Sequence, residues 1–130
     1  MRRRLAPGEK PLFWIGSSKR DLLAMPDPVV RQMGAALSVA QYGGKHPDAN
    51  PWKGLGPGVF EVVSDYKTDT FRAGYVVRFE QAIYVLHGFQ KKSPTGTRTA
   101  KTDVEMIERR LKVAKAHYEV RYGQTSQERQ

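Results

Sequence analysis

Cationic side chains and aromatic rings are concentrated between residues 66 and 98 of the sequence. The apolar run AIYVL at 82–86 continues into HGFQKKS at 87–93, where a strand would usually end in turn residues. The only acids between 67 and 98 are Asp69 and Glu80, against the cations Lys67, Arg72, Arg78, Lys91, Lys92 and Arg98. Cations bind phosphate and aromatic rings stack on unpaired bases. The pattern therefore predicts an RNA-binding surface, with rings supplied by Tyr66, Tyr84 and Phe89.

Length and composition fit one domain with a basic surface. The 130 residues are 39% hydrophobic, which is enough for a modest core, so we expect a single domain over 1–130 with flexible ends at 1–10 and 121–130. The formal net charge of +9 and the pI of about 10.0 favour a polyanionic partner: nucleic acid, a membrane surface or an acidic protein. The absence of cysteine excludes disulfides, thiolate metal sites and a cysteine nucleophile.

Several common kinds of site lack their sequence signature. The chain has no phosphate-binding glycine loop, zinc-ligand spacing or nucleophilic-serine motif, and His46, His87 and His117 are too far apart to suggest a metal site. His87 taken alone fits a core or strand-edge histidine better than a catalytic one. The basic start MRRRLAPGEK precedes no apolar segment, and no run approaches the ~20 residues of a membrane helix. We therefore expect a soluble, cytoplasmic protein whose Arg2, Arg3 and Arg4 form a solvated arm.

Three helices are predicted from capping residues and apolar spacing. A short helical turn begins at Ser18, and a second helix begins at Asp27-Pro28 and ends before Gly43-Gly44. The 3-4-3-4 spacing of apolar residues predicts a C-terminal helix with one buried face, formed by Val104, Ile107, Leu111, Ala114 and Tyr118.

Four strands are predicted, at 11–18, 59–65, 70–79 and 82–92, whereas the residues between 45 and 58 read as a loop. In the third strand Phe71, Ala73, Tyr75, Val77 and Phe79 alternate with a face that is partly wet and basic. We expect an α+β fold with a small, mainly antiparallel sheet, the N-terminal strand plus a three-stranded meander. The two N-terminal helices and the C-terminal helix would pack on one face of that sheet.

Five segments of the sequence carry a resemblance to a known family: KPLFWIGSSKRDLLAMP, WKGLGPGVFEV, FRAGY, YVLHGFQKKS and ERRLKVA. Over residues 10–120 the chain resembles the phage-derived branch of the RelE/HigB superfamily, the toxins of bacterial type II toxin-antitoxin modules. The resemblance implies a cytoplasmic endoribonuclease of RelE-like fold that cleaves mRNA, commonly on the ribosome, with no metal or other cofactor. It also implies inhibition by an antitoxin, often a helix-turn-helix protein, in a hetero-oligomeric complex.

The resemblance suggests roles for four residues. Arg72 matches the arginine that the family places beside the scissile phosphate, and Lys91 stands where the last strand delivers a second cation. Glu61 occupies a position that is often lysine in ribosome-dependent relatives, and the C-terminal tyrosine of some relatives has no clear counterpart here. Glu61 and His87 are the candidates for the general base, and Lys91 is a cation or the general acid. A cross-strand salt bridge to Arg72 is an equally good interpretation of Glu61.

The implied reaction is attack of an RNA 2′-hydroxyl on its own 3′ phosphate, which leaves a cyclic phosphate and a 5′-hydroxyl end. Because neighbouring side chains on a strand point to opposite faces, only one of Lys91 and Lys92 can face the phosphate unless the strand has already ended. We predict that it is Lys91, because its place in HGFQKKS matches the cation of the family that the chain resembles. Further RNA contacts are expected from Lys53, Arg78, Lys92, Tyr84 and Arg98.

Two other functional classes remain open. A noncatalytic member of the same fold would bind RNA, a ribosome or a DNA-binding partner without cutting, which Glu61 in place of a lysine would fit. A phage structural or regulatory protein would show neither RNA binding nor toxicity. The sequence leaves the antitoxin, the codon preference and the oligomeric state open.

Overall fold

A five-stranded sheet and three α-helices make up the described part of the structure, a computed structural model that describes residues 4–91 and 100–123. The elements in chain order are β1 (Leu12–Trp14), α1 (Ser18–Leu23), α2 (Asp27–Gln41), β2 (Ala49–Pro51), β3 (Val59–Tyr66), β4 (Asp69–Val76), β5 (Ile83–Lys91) and α3 (Lys101–Tyr118), followed by a π-helical turn (Glu119–Gly123). The predicted α+β class is confirmed, and the arrangement is consistent with a small RelE-like fold. None of the helices in these two ranges has the length and apolar character needed to span a bilayer.

The sheet has the strand order β1-β5-β4-β3-β2. The predicted meander β3-β4-β5 is antiparallel, and β1 pairs with β5 in parallel, Phe13 opposite Tyr84. The prediction that residues 45–58 form only a loop was wrong, because β2 lies within them. Asn50 pairs with Glu61 and Pro51 with Phe60. A proline is tolerated there because β2 lies at the edge of the sheet, where one row of backbone groups has no strand partner.

Helices cover both faces of the sheet, so the prediction that all of them pack on one face was wrong. Helices α1 and α2 bury Leu22 and Met33 against Ala73 and Tyr75 of β4. Helix α3 buries its apolar side against the opposite face of the sheet, called here the α3 face. Both faces of β4 are therefore covered, because Val76, on the face that the alternation marked as wet, is fully buried.

Strand β4 ends earlier than predicted, at Val76 rather than at residue 79. Beyond it, the amide of Val77 donates to the carbonyl oxygen of Gly58 at 2.7 Å. Phe79 stacks on Tyr118 of α3 at 4.8 Å between ring centroids. Phe79 therefore lies on the α3 face, whereas the alternation had placed it with Tyr75 on the other.

A β-bulge in β5 decides which residues of HGFQKKS reach the α3 face. Gly74 pairs with His87, but Tyr75 pairs with Val85, so Leu86 is the extra residue. The extra residue shifts the alternation by one position. As a result the α3 face receives Tyr84 and Leu86 before the bulge and His87, Phe89 and Lys91 after it.

Arg110 of α3 stabilises the bulge. Its Nη1 donates to the carbonyl oxygen of Leu86 at 2.9 Å, and its Nη2 donates to Ser17 Oγ at 3.0 Å. Ser17 Oγ in turn donates to Asp21 Oδ2 at 2.6 Å. A bulged carbonyl lacks its ladder partner, and this guanidinium provides one.

Candidate functional site

The strand register brings the charged candidates together on the α3 face. Glu61 of β3 and His87 of β5 both pair with Gly74 of β4, one from each side. Two residues along β4, Arg72 pairs with Phe89, and Thr70 pairs with Lys91. Because residues two apart on a strand share a face, Glu61, Arg72, His87 and Lys91 are neighbours.

Glu61 and Arg72 form a partly buried ion pair. Arg72 Nη1 lies 3.3 Å from Glu61 Oε1, and the two side chains are only 11% and 16% exposed, Arg72 first. The cross-strand salt bridge offered as one interpretation of Glu61 is thus confirmed. Burial raises the pKa of the Glu61 carboxyl, and the nearby charges of Arg72 and Lys91 oppose that rise without cancelling it. A carboxylate with a raised pKa is a stronger proton acceptor than an ordinary glutamate.

Lys91 contributes a second cation to the same site. It lies on the edge of the described region, half-buried, at the last position of β5. The register of β5 places it opposite Thr70 on the α3 face, and its positive charge opposes the rise in the pKa of Glu61. The β-bulge is what turns Lys91 toward Glu61, since the alternation of an unbulged strand would point it at α1. Lys92, its predicted outward neighbour, lies outside the described residues.

His87 is paired with a residue that the sequence did not single out. Its Nε2 lies 2.8 Å from Asp103 Oδ1 in the first turn of α3, and its ring stacks on Phe89 at 4.7 Å. Because a carboxylate only accepts, His87 Nε2 is the donor. The other nitrogen, Nδ1, is buried and has no hydrogen-bond partner among the described residues.

Neither nitrogen of His87 is therefore open to a substrate. A general base must come within hydrogen-bond reach of the proton that it removes. This geometry argues against His87 as the base and leaves Glu61 as the candidate. The bond between His87 and Asp103 joins the first turn of α3 to β5 beside the charged site.

The residues predicted to contact RNA differ in their exposure to solvent. Tyr84 is fully buried and its hydroxyl bonds to His117 Nδ1 at 2.6 Å, so the prediction that it stacks on a base is wrong. Lys53 and Arg78 are exposed, as a phosphate contact requires. Arg98 lies outside the described residues, as do Lys92 and the first two arginines of the N-terminal arm.

The loop between β2 and β3 carries a residue that the sequence reading missed, Trp52. A side chain built on Gly74 would meet the indole ring at 3.5 Å, so the ring lies directly over the strand between Glu61 and His87. Trp52 also lies 6.5 Å from Phe89, ring to ring. A tryptophan in the proline- and glycine-rich segment PWKGLGPG was the available signal, but only the fold shows that it is half-buried and what it covers.

The arrangement combines what metal-free attack of a 2′-hydroxyl on the adjacent phosphate requires. Glu61 offers a base with a raised pKa, and Arg72 and Lys91 offer positive charge for the extra negative charge of the phosphorane. The guanidinium of Arg72 can bind two phosphate oxygens at once. The ion pair with Glu61 also keeps Arg72 in place before a phosphate arrives.

The chain matches a known protein family. A family model described as "Phage derived protein Gp49-like (DUF891)" matches residues 20–112, which include Glu61, Arg72, His87, Lys91 and Asp103. No curated protein sequence matches the chain significantly.

Proposed function

Because the chain belongs to the phage-derived Gp49-like family, which is part of the RelE-like group of toxin-antitoxin toxins, we propose that it is an mRNA endoribonuclease. In this proposal it acts in the cytoplasm as the toxin of a type II module of the RelE/HigB kind. Cleavage needs no metal or cofactor and takes place on the ribosome. A cognate antitoxin keeps the toxin inactive in a hetero-oligomeric complex.

The grouping of Glu61, Arg72 and Lys91 on one sheet face is the observation that carries this proposal. Glu61 takes the proton of a ribose 2′-hydroxyl, and the 2′ oxygen then forms a bond to the adjacent phosphorus. Arg72 stabilises the phosphorane through its two-pronged guanidinium. Lys91 gives a proton to the departing 5′ oxygen as its bond to phosphorus breaks. The products are a 2′,3′-cyclic phosphate and a 5′-hydroxyl end.

Substrate binding and catalysis are coupled through Arg72. In the free protein Arg72 is paired with Glu61 at 3.3 Å. When a phosphate oxygen binds the guanidinium, it competes with Glu61 for that charge. The carboxylate then loses part of its stabilisation, and its pKa rises further, which makes it a better base at the moment when the 2′-hydroxyl is next to it.

The proposed antitoxin is recognised by charge. A chain with net charge +9 attracts an acidic segment, and such a segment across Lys53, Arg72 and Lys91 would exclude RNA. The resemblance favours a helix-turn-helix protein as the antitoxin. A small neighbouring reading frame with that pattern would support the module.

Expression without a partner tests the proposal. The chain is induced in bacterial cells beside Arg72→Ala, and the 5′-hydroxyl ends of cellular RNA are mapped by sequencing. We expect growth arrest and new 5′-hydroxyl ends within coding regions for the wild type, and neither for Arg72→Ala. Arrest with unaltered RNA would contradict the proposal, because another toxic activity would then be responsible.

The Glu61–Arg72 ion pair also favours a second candidate, a noncatalytic binding module. If the pair is purely structural, Glu61 stays bound to Arg72 and is not available as a base. This candidate predicts that purified protein binds RNA with a steep salt dependence but leaves it intact, with or without ribosomes. Cleavage in either condition excludes it.

A further inference from the structure

We propose that Trp52 is a stacking platform for an unpaired RNA base next to the scissile phosphate. This inference rests on the proposed function, since it adds a base contact to the same site. Neither the family match nor the charged residues assign a role to Trp52. The proposal stands on the position of the ring, its exposure and the way its loop is held.

The indole ring of Trp52 lies next to the residues of the charged site. Its six-membered ring lies over Gly74, which is flanked on the sheet by Glu61 on β3 and His87 on β5. Arg72 is two residues further along the same strand. Directly opposed residues on paired strands have Cβ atoms about 5 Å apart. A nucleotide whose phosphate contacts Arg72 therefore has its base within reach of this ring.

The ring is only half-buried, although it is among the largest apolar side chains of the protein. One part packs on Gly74 and toward Phe89, whose ring is tilted by 43° against it. Trp52 also packs against the apolar cluster of the α3 face, yet part of the residue remains exposed. A base stacks on a ring that is anchored on one side and open on the other.

The loop that carries Trp52 is held in one conformation. The amide of Trp52 donates to the carbonyl oxygen of Val59 at 2.8 Å, and Arg78 Nη2 donates to the carbonyl oxygen of Leu55 at 3.0 Å. Gly58 has a φ of 74°, and a Cβ there would come within 2.8 Å of the backbone nitrogen of Arg78. A platform fixed in this way loses little freedom when a base stacks on it.

The neighbouring charge agrees with the same ligand. Lys53 is the next residue in the chain after Trp52, and it is exposed. A cation therefore lies close to the ring. A ring for the base and a cation for the adjacent phosphate are the pair of contacts that single-stranded nucleic acid requires. Other ligands of the basic face, such as an acidic peptide, would use Lys53 without needing the indole.

Binding of uncleavable RNA tests the platform. The probe is a single-stranded RNA oligonucleotide with 2′-O-methyl riboses, which lacks the attacking hydroxyl. The control probe has the same backbone but carries abasic residues. Trp52→Leu keeps apolar packing over Gly74 and removes the ring, whereas Trp52→Tyr keeps a ring. Trp14→Phe, in β1, is the control for loss of a tryptophan elsewhere.

We expect Trp52→Leu to weaken binding of the base-containing probe by about tenfold or more, as loss of a stacked base does elsewhere. Trp52→Tyr and Trp14→Phe should remain close to the wild type. All four proteins should bind the abasic probe equally. In Trp14→Phe, the fluorescence of the remaining Trp52 should be quenched by the base-containing probe alone.

Three results would overturn the platform: equal weakening for both probes, no weakening at all, or no binding of the wild type to the base-containing probe. The outcome is separate from that of the proposed function. If the wild type cleaves RNA and Trp52→Leu binds normally, the platform fails and the endoribonuclease stands. If the binding difference is found but the wild type never cleaves, the endoribonuclease fails and the platform stands.

Discussion

The two ends of the α3 face differ in the side chains that they contain: one end is charged and the other is aromatic. The charged end consists of Glu61, Arg72, His87 and Lys91 and lies near the first turn of α3. The aromatic end lies near the last turn of α3 and consists of Phe13, Phe79, Tyr84, His117 and Tyr118. Asp103 and Tyr118 mark these two turns, roughly 22 Å apart along an α-helix.

The two ends treat their polar groups differently. At the aromatic end the Tyr84 hydroxyl shares a hydrogen bond with His117 Nδ1, and Tyr118 accepts from the amide of Gln81 at 3.2 Å. Burial raises the pKa of Tyr84 to about 12, so its hydroxyl keeps its proton. At the charged end burial works against ionised Glu61. The aromatic end therefore attaches the last turn of α3 to the sheet, whereas the charged end holds a partly buried ion pair that stability alone does not require.

The largest expected effect is the loss of Arg72 from the charged end. Arg72→Ala removes the phosphate clamp, and we expect cleavage to fall by about a hundredfold or more, on the order of 3 kcal/mol of transition-state stabilisation. Arg31→Ala, an exposed arginine of α2 on the other side of the sheet, is the control and should keep its rate. Single-turnover cleavage measures both, and equal rates for the two variants would contradict the role assigned to Arg72.

The second prediction concerns the two adjacent lysines. Lys91→Ala should lose about a hundredfold in rate and abolish toxicity, because Lys91 acts on Glu61 at the charged end. Lys92→Ala should largely keep its activity, since neighbours on a strand face opposite ways. Both variants should unfold at the same denaturant concentration as the wild type. Equal losses, or a loss in Lys92→Ala alone, would mean that the site is placed wrongly.

The third prediction uses pH to identify the base. Glu61 must be deprotonated to accept the 2′-hydroxyl proton, so the rate should rise about tenfold per pH unit below its raised pKa and level off above it. The midpoint should lie above the ordinary range of a glutamate because burial favours the protonated form. Glu61→Gln should abolish this limb of the profile. An unchanged limb in Glu61→Gln would assign it to another group.

A smaller effect is expected at the link between α3 and the charged end. Asp103→Ala removes the 2.8 Å bond to His87, and we expect the free energy of unfolding to fall by about 2 kcal/mol. Glu105→Ala, an exposed acid in the same turn, should change it by less than about 0.5 kcal/mol. Denaturant titration measures both. A shifted pH–rate profile in Asp103→Ala would instead return His87 to the list of candidate bases.

The smallest effect belongs to the aromatic end. Tyr84→Phe keeps the buried ring and loses the bond to His117, which should cost about 1 kcal/mol of stability. Its affinity for RNA should be that of the wild type because the ring is fully buried. If RNA binding weakens while stability is unchanged, Tyr84 has the RNA role that the sequence suggested and the burial of this ring is wrong.

Much of the fold follows from local sequence signals. The helix start at Asp27-Pro28, the meander and the apolar spacing of α3 are all decided by neighbouring residues, and each is found in the structure. The side of the sheet on which a helix packs is decided by tertiary contacts instead. Alternation in β4 shows which residues share a face, but it does not show that α3 covers the face of Arg72.

The site was predictable in part for the same reason. The family resemblance assigned Glu61, Arg72 and Lys91 to one site, and the predicted antiparallel meander agrees with the closeness of Glu61 and Arg72. The extra residue at Leu86 leaves no clear mark in the sequence, yet it decides which side chains of β5 face Arg72. Trp52 and Asp103 reach the site from a loop and from α3, so only the complete fold brings them there.

The chemical ends of RNA fragments test the central claim most directly. Purified protein is incubated with mRNA and ribosomes, beside Arg72→Ala and Lys91→Ala, and the fragment ends are identified. If a base activates the 2′-hydroxyl and two cations act at the phosphate, the wild type should give 5′-hydroxyl and 2′,3′-cyclic phosphate ends. Either variant should give almost no fragments. Fragments with 5′-phosphate ends, or equal cleavage by all three proteins, would contradict the assignment of this reaction to the charged end.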